Sequence, residues 1–149
     1  RVIRQGTFRV TVDETFGDVI RACASAPRPG QGGTWILDDM VEAYCALHEK
    51  GFAHSVECWQ GETLVGGLYG VSLGRAFFGE SMFSRVTDAS KAAFAALVDL
   101  ARAWNFSFID CQMTTPHLER LGGKEVTRER FLKMLKHALT STTRSGKWQ

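Results

Sequence analysis

The sequence predicts an α+β (mixed α/β) domain with a central, largely antiparallel sheet flanked by helices. Strand-like segments follow one another from Ala53 to Glu80, broken only by short turns such as Gly61-Glu62. Segments of helical period lie on both sides of that run. The 149 residues, 44% hydrophobic and 23% charged, suffice for one globular domain spanning residues 1–149 with a core of its own. The same composition excludes disordered, collagen-like and coiled-coil chains. The longest uncharged stretches, such as Thr63 to Gly74, are interrupted by glycine and fall short of the roughly 20 apolar residues of a membrane span.

Phe8 to Val12 alternates apolar and polar residues as a half-buried strand does, and Asp13 stands where an N-cap would precede a helix over Phe16 to Ala24. Two prolines and three glycines make Ser25 to Thr34 a loop. Asp38 can cap a helix with an apolar stripe of Met40, Val41, Tyr44 and Leu47, closed by Gly51. Strands follow over Ala53 to Gln60, Thr63 to Ser72 and Arg75 to Glu80. Gly66 and Gly67 inside the second predict a bulge or a close approach by another backbone or a ligand. Thr87 or Asp88 then caps a helix from Ala89 to Trp104 that buries Phe94, Leu97, Val98, Ala101 and Trp104. A strand over Ser107 to Gln112, a helix over Thr114 to Leu121 stopped by Gly122-Gly123, and a helix capped by Thr127 complete the order.

Four cysteines, Cys23, Cys45, Cys58 and Cys111, show neither C-x-x-C pairing nor the density of a disulfide scaffold, which predicts reduced thiols in a cytoplasmic protein. No signal peptide is visible, and a start at Arg1 instead of methionine is the pattern of a fragment or a processed product. The net charge of +2 conceals an asymmetry: residues 1–123 carry 11 basic and 14 acidic side chains, residues 124–149 carry 7 and 2. In the last helix Phe131, Leu135, Ala138 and Leu139 lie opposite Arg130, Lys133, Lys136 and His137. That basic face is either a solvated surface or a ridge that meets phosphates.

Several familiar sites are absent from the pattern. No Gly-Lys-Ser/Thr follows the glycines at 66–70, no G-x-G-x-x-G or G-x-S-x-G occurs, and no H-x-x-x-H pair offers a metal site. The Q/R-x-x-G-x-G/A loop through which coenzyme-A enzymes hold pyrophosphate is also missing. Two segments remain unusual. Phe77 to Ser84 sets Glu80 among aromatic and thioether side chains at an expected strand end, and Phe108 to Gln112 ends a strand with Asp110 and Gln112 on one face. Each carboxylate either satisfies local donors or forms part of a site.

The motifs T-W-I at 34–36, M-x-x-A-Y-x-x-L-H at 40–48, G-x-A-H-S-V-E-x-W at 51–59, L-V-G-G-L-Y-G-V at 64–71, F-x-G-E-S-M-F-S at 77–84 and I-D-C-Q at 109–112 closely resemble those of bacterial leucyl/phenylalanyl-tRNA–protein transferases. The likeness runs from about Thr7 to Phe131. It implies a GNAT-like acyltransferase fold that takes aminoacyl-tRNA (Leu-tRNA or Phe-tRNA) in place of coenzyme A, with no cofactor, metal or membrane. It further implies transfer of leucine or phenylalanine, less readily methionine, to proteins with N-terminal Arg or Lys, marking them for the N-degron pathway. Family members carry a smaller N-terminal domain ahead of the part that matches Arg1, and their C-terminal ends usually differ from Thr140 to Gln149.

By this resemblance Asp110 orients and stabilises the attacking amine, and Gln112 hydrogen-bonds the amine or the ester carbonyl. Glu80 holds Gln112 or meets the peptide terminus. Leu68, Phe77 and Met82 line the donor side-chain pocket, and Trp35 and Tyr44 match positions near the substrate. Cys111 is expected to be a packing residue. An aminoacyl ester is already activated and an α-amine has a pKa of about 7.7–8.0, so orientation and electrostatics outweigh base catalysis. Arg130, Lys133 and Lys136 are the candidate tRNA contacts. A coenzyme-A-dependent acetyltransferase and a truncated module that binds tRNA or peptide without turnover are the alternatives.

Overall fold

A computed structural model describes residues 3–5, 7–26, 36, 38–112 and 115–149. Among the described residues six strands form one sheet in chain order: β1 (Ile3–Gln5), β2 (Phe8–Val12), β3 (Ala53–Gln60), β4 (Thr63–Leu73), β5 (Ala76–Ser84) and β6 (Phe108–Asp110). All neighbours are antiparallel except β5 and β6, which run parallel. The helices are α1 (Phe16–Ser25), α2 (Asp38–Glu49), α3 (Ala89–Ala103), α4 (Pro116–Arg120) and α5 (Arg128–Ala138).

Alternation along the strands divides the core into two layers. Val10, Val56, Leu68 and Phe77 face α3, whereas Tyr69 and Phe83 face α1 and α2. With helices on both faces, β3 is buried over almost its whole length. The stripe of α2 packs as expected, and Gly51 closes the helix at φ 86°. The glycine pair in β4 meets both expectations: the register shifts opposite Cys58/Trp59, and a Cβ at Gly66 would lie 2.6 Å from Ala89 Cβ.

That close approach corrects the buried face of α3. Only small side chains fit where the helix crosses the sheet, so Ala89, Ala92, Ala93 and Ala96 face inward with Leu97 and Leu100. Val98 lies half-buried, outside this layer. Neither proposed cap bonds there: Asp88 precedes α3 in the left-handed region without a side-chain cap and pairs with Lys91 at 3.0 Å.

Asp13 is no helix cap either. It is buried at φ 54°, and its carboxylate accepts hydrogen bonds from the Ser55 N–H at 2.9 Å, His54 Nδ1 at 2.8 Å and the Trp148 N–H at 2.8 Å. Thr15 takes the boundary of α1, beneath which buried Glu57 accepts from the Thr11 hydroxyl at 2.7 Å and the Ser55 hydroxyl at 2.5 Å. Burial holds the Glu57 carboxyl above its ordinary range. Asp38 lies in the first turn of α2 instead of before it, where its charge suits the helix dipole. Of the expected 25–34 loop, Ser25 still belongs to α1 and 27–34 lies outside the described residues.

Further differences lie at element ends. β1 extends the sheet beyond the expected strands, and α4 begins at Pro116 with the Thr115 hydroxyl accepting from the Leu118 N–H at 3.1 Å. Thr127 caps α5 as expected, but Leu139 is 50% exposed because the helix ends at Ala138. The four cysteines remain thiols. Among the described residues no helix is long and apolar enough to cross a membrane.

Candidate active site

β5 and β6 pair only over Ala76–Phe78 and Phe108–Asp110. After Asp110 the chain leaves the sheet while β5 continues to Ser84, so the two parallel strands part at their C-terminal ends. Such divergence points are where open α/β sheets hold ligands. The expected end of β5 at Glu80 is thus corrected, and the reason is a bulge: Tyr69 pairs with Ser81 and Gly70 with Gly79, leaving Glu80 as the extra residue.

The bulge re-aims Glu80 toward α2, where its carboxylate takes a side-chain hydrogen bond from Tyr44. Burial, with the adjacent Glu80 charge and this bond, pushes the Tyr44 hydroxyl up to about 12, so it stays protonated as the donor. Glu80 and Tyr44, chosen from separate motifs, therefore meet.

Asp110 and Gln112 do not share a strand face, because β6 stops at Asp110. They are joined by a turn in which Asp110 Oδ1 accepts the Gln112 N–H at 2.8 Å and Gln112 adopts φ 66°. Gln112 Nε2 donates to the Gly79 carbonyl at 2.8 Å, which leaves its amide oxygen as the acceptor. The main chain of Gly79, and not Glu80, anchors this amide. Cys111 between them is half-buried; burial and the Asp110 charge hold its thiol above the ordinary value, so it is a thiol at neutral pH.

A cavity of about 510 Å³ opens at the divergence. Leu68, Phe77, Met82, Phe94, Leu97, Ile109 and Leu118 give it an apolar interior, and Glu80, Ser81, Gln112, Thr115 and His117 add polar groups. All three proposed donor-pocket residues line it. Asp110 instead lines a neighbouring groove of about 430 Å³ with Glu119 and Glu125 over Phe108, Phe131 and Met134. Ile109, Cys111, Gln112 and Leu118 belong to both.

Arg130, Lys133 and Lys136 are exposed on α5, whose Phe131 and Met134 close this groove. Lys133 pairs with Glu129 at 3.4 Å. Trp35 lies outside the described residues. Ser81 and Ile109 lie within the sequence motifs given above without a role there, no pattern in the sequence points to Thr115, His117 or Leu118, and Phe94 and Leu97 follow only from the helical stripe. Among the described residues no group of three or more His, Cys, Asp or Glu side chains is arranged to hold a metal.

This mixed sheet, with its parallel strands parting over an apolar cavity, is a fold shared with solved acetyltransferases. An aminoglycoside acetyltransferase from an uncultured soil metagenomic sample aligns with a TM-score of 0.54 at 14% identity, covering 80% of this chain and 93% of that one. A ribosomal-protein-alanine N-acetyltransferase from Brucella melitensis biovar Abortus 2308 gives 0.53 at 16%, covering 81% and 97%.

Sequence relationship narrows the class. The chain belongs to the leucyl/phenylalanyl-tRNA protein transferase family, whose pattern matches residues 1–136. It is 55% identical over 148 residues to the leucyl/phenylalanyl-tRNA–protein transferase of Anaeromyxobacter sp. (strain Fw109-5), covering 99% of this chain and 63% of that protein. The protein of that name from Myxococcus xanthus (strain DK1622) is 52% identical, with the same coverage. The chain thus spans a little under two thirds of the length of the curated relatives it matches.

Proposed function

We propose that this chain is a cytoplasmic aminoacyltransferase domain, residues 1–149, that moves leucine or phenylalanine, and less readily methionine, from aminoacyl-tRNA to the N-terminal α-amine of proteins beginning with Arg or Lys. The product would enter the N-degron pathway. The observation that carries the proposal is the apolar cavity with the Asp110–Gln112 turn beside it, in a chain of this family.

In the reaction the neutral amine attacks the ester carbonyl carbon, the new C–N bond forms, and the ribose oxygen of the tRNA leaves and takes up a proton. An amine with a pKa of about 7.7–8.0 is partly neutral at cellular pH, so little activation is required. Asp110 acts by stabilising the developing ammonium and not as a strong base. The Gln112 amide oxygen accepts from the amine, since Nε2 is committed to Gly79. Leu68, Phe77 and Met82 receive the donor side chain, with Met82 adapting to its shape.

The neighbouring groove suits the basic first residue of the acceptor: Asp110, Glu119 and Glu125 outnumber Lys124 around an apolar floor that matches a long cationic side chain. Against a coenzyme-A donor stands the sequence, which lacks the Q/R-x-x-G-x-G/A loop that holds its pyrophosphate. Incubation of the chain with radiolabelled Leu-tRNA and an Arg-started peptide tests the proposal. Labelled peptide is expected; unlabelled peptide with intact Leu-tRNA contradicts it.

A further inference from the structure

Residues 143–148 form a strap across the molecule. The Gly74 N–H donates to the Thr143 hydroxyl at 2.8 Å, the Gly146 N–H to the Gly51 carbonyl at 3.1 Å and the Trp148 N–H to Asp13 at 2.8 Å. A Cβ on Gly51 would lie 2.2 Å from Gly146 N, so the strap requires glycine there for space as well as for backbone angle. At its end Trp148 is 2% exposed, and its indole donates to the Arg144 carbonyl at 3.0 Å.

The Trp148 ring lies 3.8 Å from His54 in a parallel stack and meets Trp104 edge-on at 4.9 Å. It also touches Phe77, at 5.8 Å and 43°. Phe77 lines the donor cavity and is fully buried, with its ring over Gly70, where a Cβ would approach it to 2.6 Å. Gly70 and Trp148 therefore limit how far this wall can retreat from the cavity.

We propose that Trp148 is a positioning residue: through Phe77 it sets the depth of the apolar cavity and with it the preference between leucine and phenylalanine. The proposal rests on the function given above. Shortening Trp148 lets Phe77 recede, and a deeper cavity favours the longer aromatic donor.

The test compares the parent chain with Trp148→Leu, Trp148→Phe and Trp104→Leu, the last removing a neighbour of Trp148 that does not line the cavity. The readouts are kcat/KM for Phe-tRNA relative to Leu-tRNA, and binding of L-phenylalaninamide relative to L-leucinamide followed by NMR. Trp148→Leu should raise both ratios about tenfold, mainly through KM, the low end of what a methylene-scale pocket change gives. Trp148→Phe should shift them about threefold in the same direction, and it serves as the test if Trp148→Leu does not fold. Trp104→Leu should lower the Tm with both ratios within about twofold of the parent. Ratios unchanged in the folded Trp148 variants overturn the proposal and reduce the tryptophan to core packing. A parent that binds both amides but transfers nothing contradicts the transferase reading alone, and the amide ratios then decide the role of Trp148. A parent that neither binds nor transfers removes both.

Discussion

The side-chain amide of Gln112 is bonded to the main-chain carbonyl of Gly79, 33 positions earlier, at 2.8 Å. This bond ties the turn after β6 to β5 just past the point where their ladder ends, and both of its residues line the cavity. It fixes which end of the amide faces a reactant. The left-handed Gln112 backbone and the Asp110 bond to its N–H fix the rest of the turn.

Tyr44→Phe removes the hydroxyl that reaches Glu80. Loss of one partly exposed hydrogen bond to a charged group is worth on the order of 1 kcal/mol, so turnover should fall about fivefold with the fold intact. The hydroxyl pKa is raised from 10.0 to about 12, so its contribution to stability is present below pH 10 and lost as pH climbs toward 12. Ultraviolet titration should lose its transition near pH 12 in the variant. A parent chain without any transition there speaks against the contact.

Met82→Ala removes a flexible wall of the donor cavity. Leucine transfer should fall more than phenylalanine transfer, by roughly tenfold in the ratio, because the larger ring still reaches the remaining walls. Competition between the two charged tRNAs measures this, and equal losses for both donors would indicate destabilisation only.

Glu119→Gln and Glu125→Gln thin the charge around the groove beside Asp110. Each should raise KM for an Arg-started peptide by about threefold, the size of an exposed ion pair, and leave the KM for Leu-tRNA unaltered. Steady-state kinetics with both substrates varied separate the two effects. If peptide KM stays constant in the double variant, the acceptor side chain lies elsewhere.

Replacing Arg130, Lys133 and Lys136 together by Gln should weaken charged and uncharged tRNA alike. Each phosphate contact contributes roughly 0.7–0.9 to the slope of log affinity against log salt, so the slope should flatten by about two units. Turnover at saturating tRNA and the Tm should barely move, since all three side chains are exposed and the apolar side of α5 is untouched. An unaltered salt slope would make this face a solvated surface.

The relation between sequence and structure differs from element to element. The Thr127 cap of α5 and the close approach at Gly66 were legible because each rests on a local rule: a hydroxyl before a helix, a missing side chain in a strand. The continuation of β5 was not, because a bulge at Glu80 interrupts the alternation and imitates a strand end. Asp13 sits before a helix as a cap would, yet it bonds residues 41 to 135 positions away. Trp148 stands among Ser, Thr, Gly and Lys with no periodicity, so its burial was invisible locally. Of the site, Leu68, Phe77, Met82, Glu80 and Gln112 are legible in the motifs and share a cavity, but the Asp110–Gln112 relation is a turn and not a strand face. His117 and Thr115 escaped notice because a short helix carries too little pattern to aim a side chain.

The most direct test is the single-turnover rate of leucine transfer from Leu-tRNA to an Arg-started peptide, measured at saturating substrates for the parent, Asp110→Asn and Gln112→Ala. Loss of an oriented electrostatic or hydrogen-bonding group predicts a fall of about a hundredfold or more in each variant, with tRNA affinity nearly unaltered. Parent-like single-turnover rates in both folded variants would contradict the assignment of the chemistry to this turn.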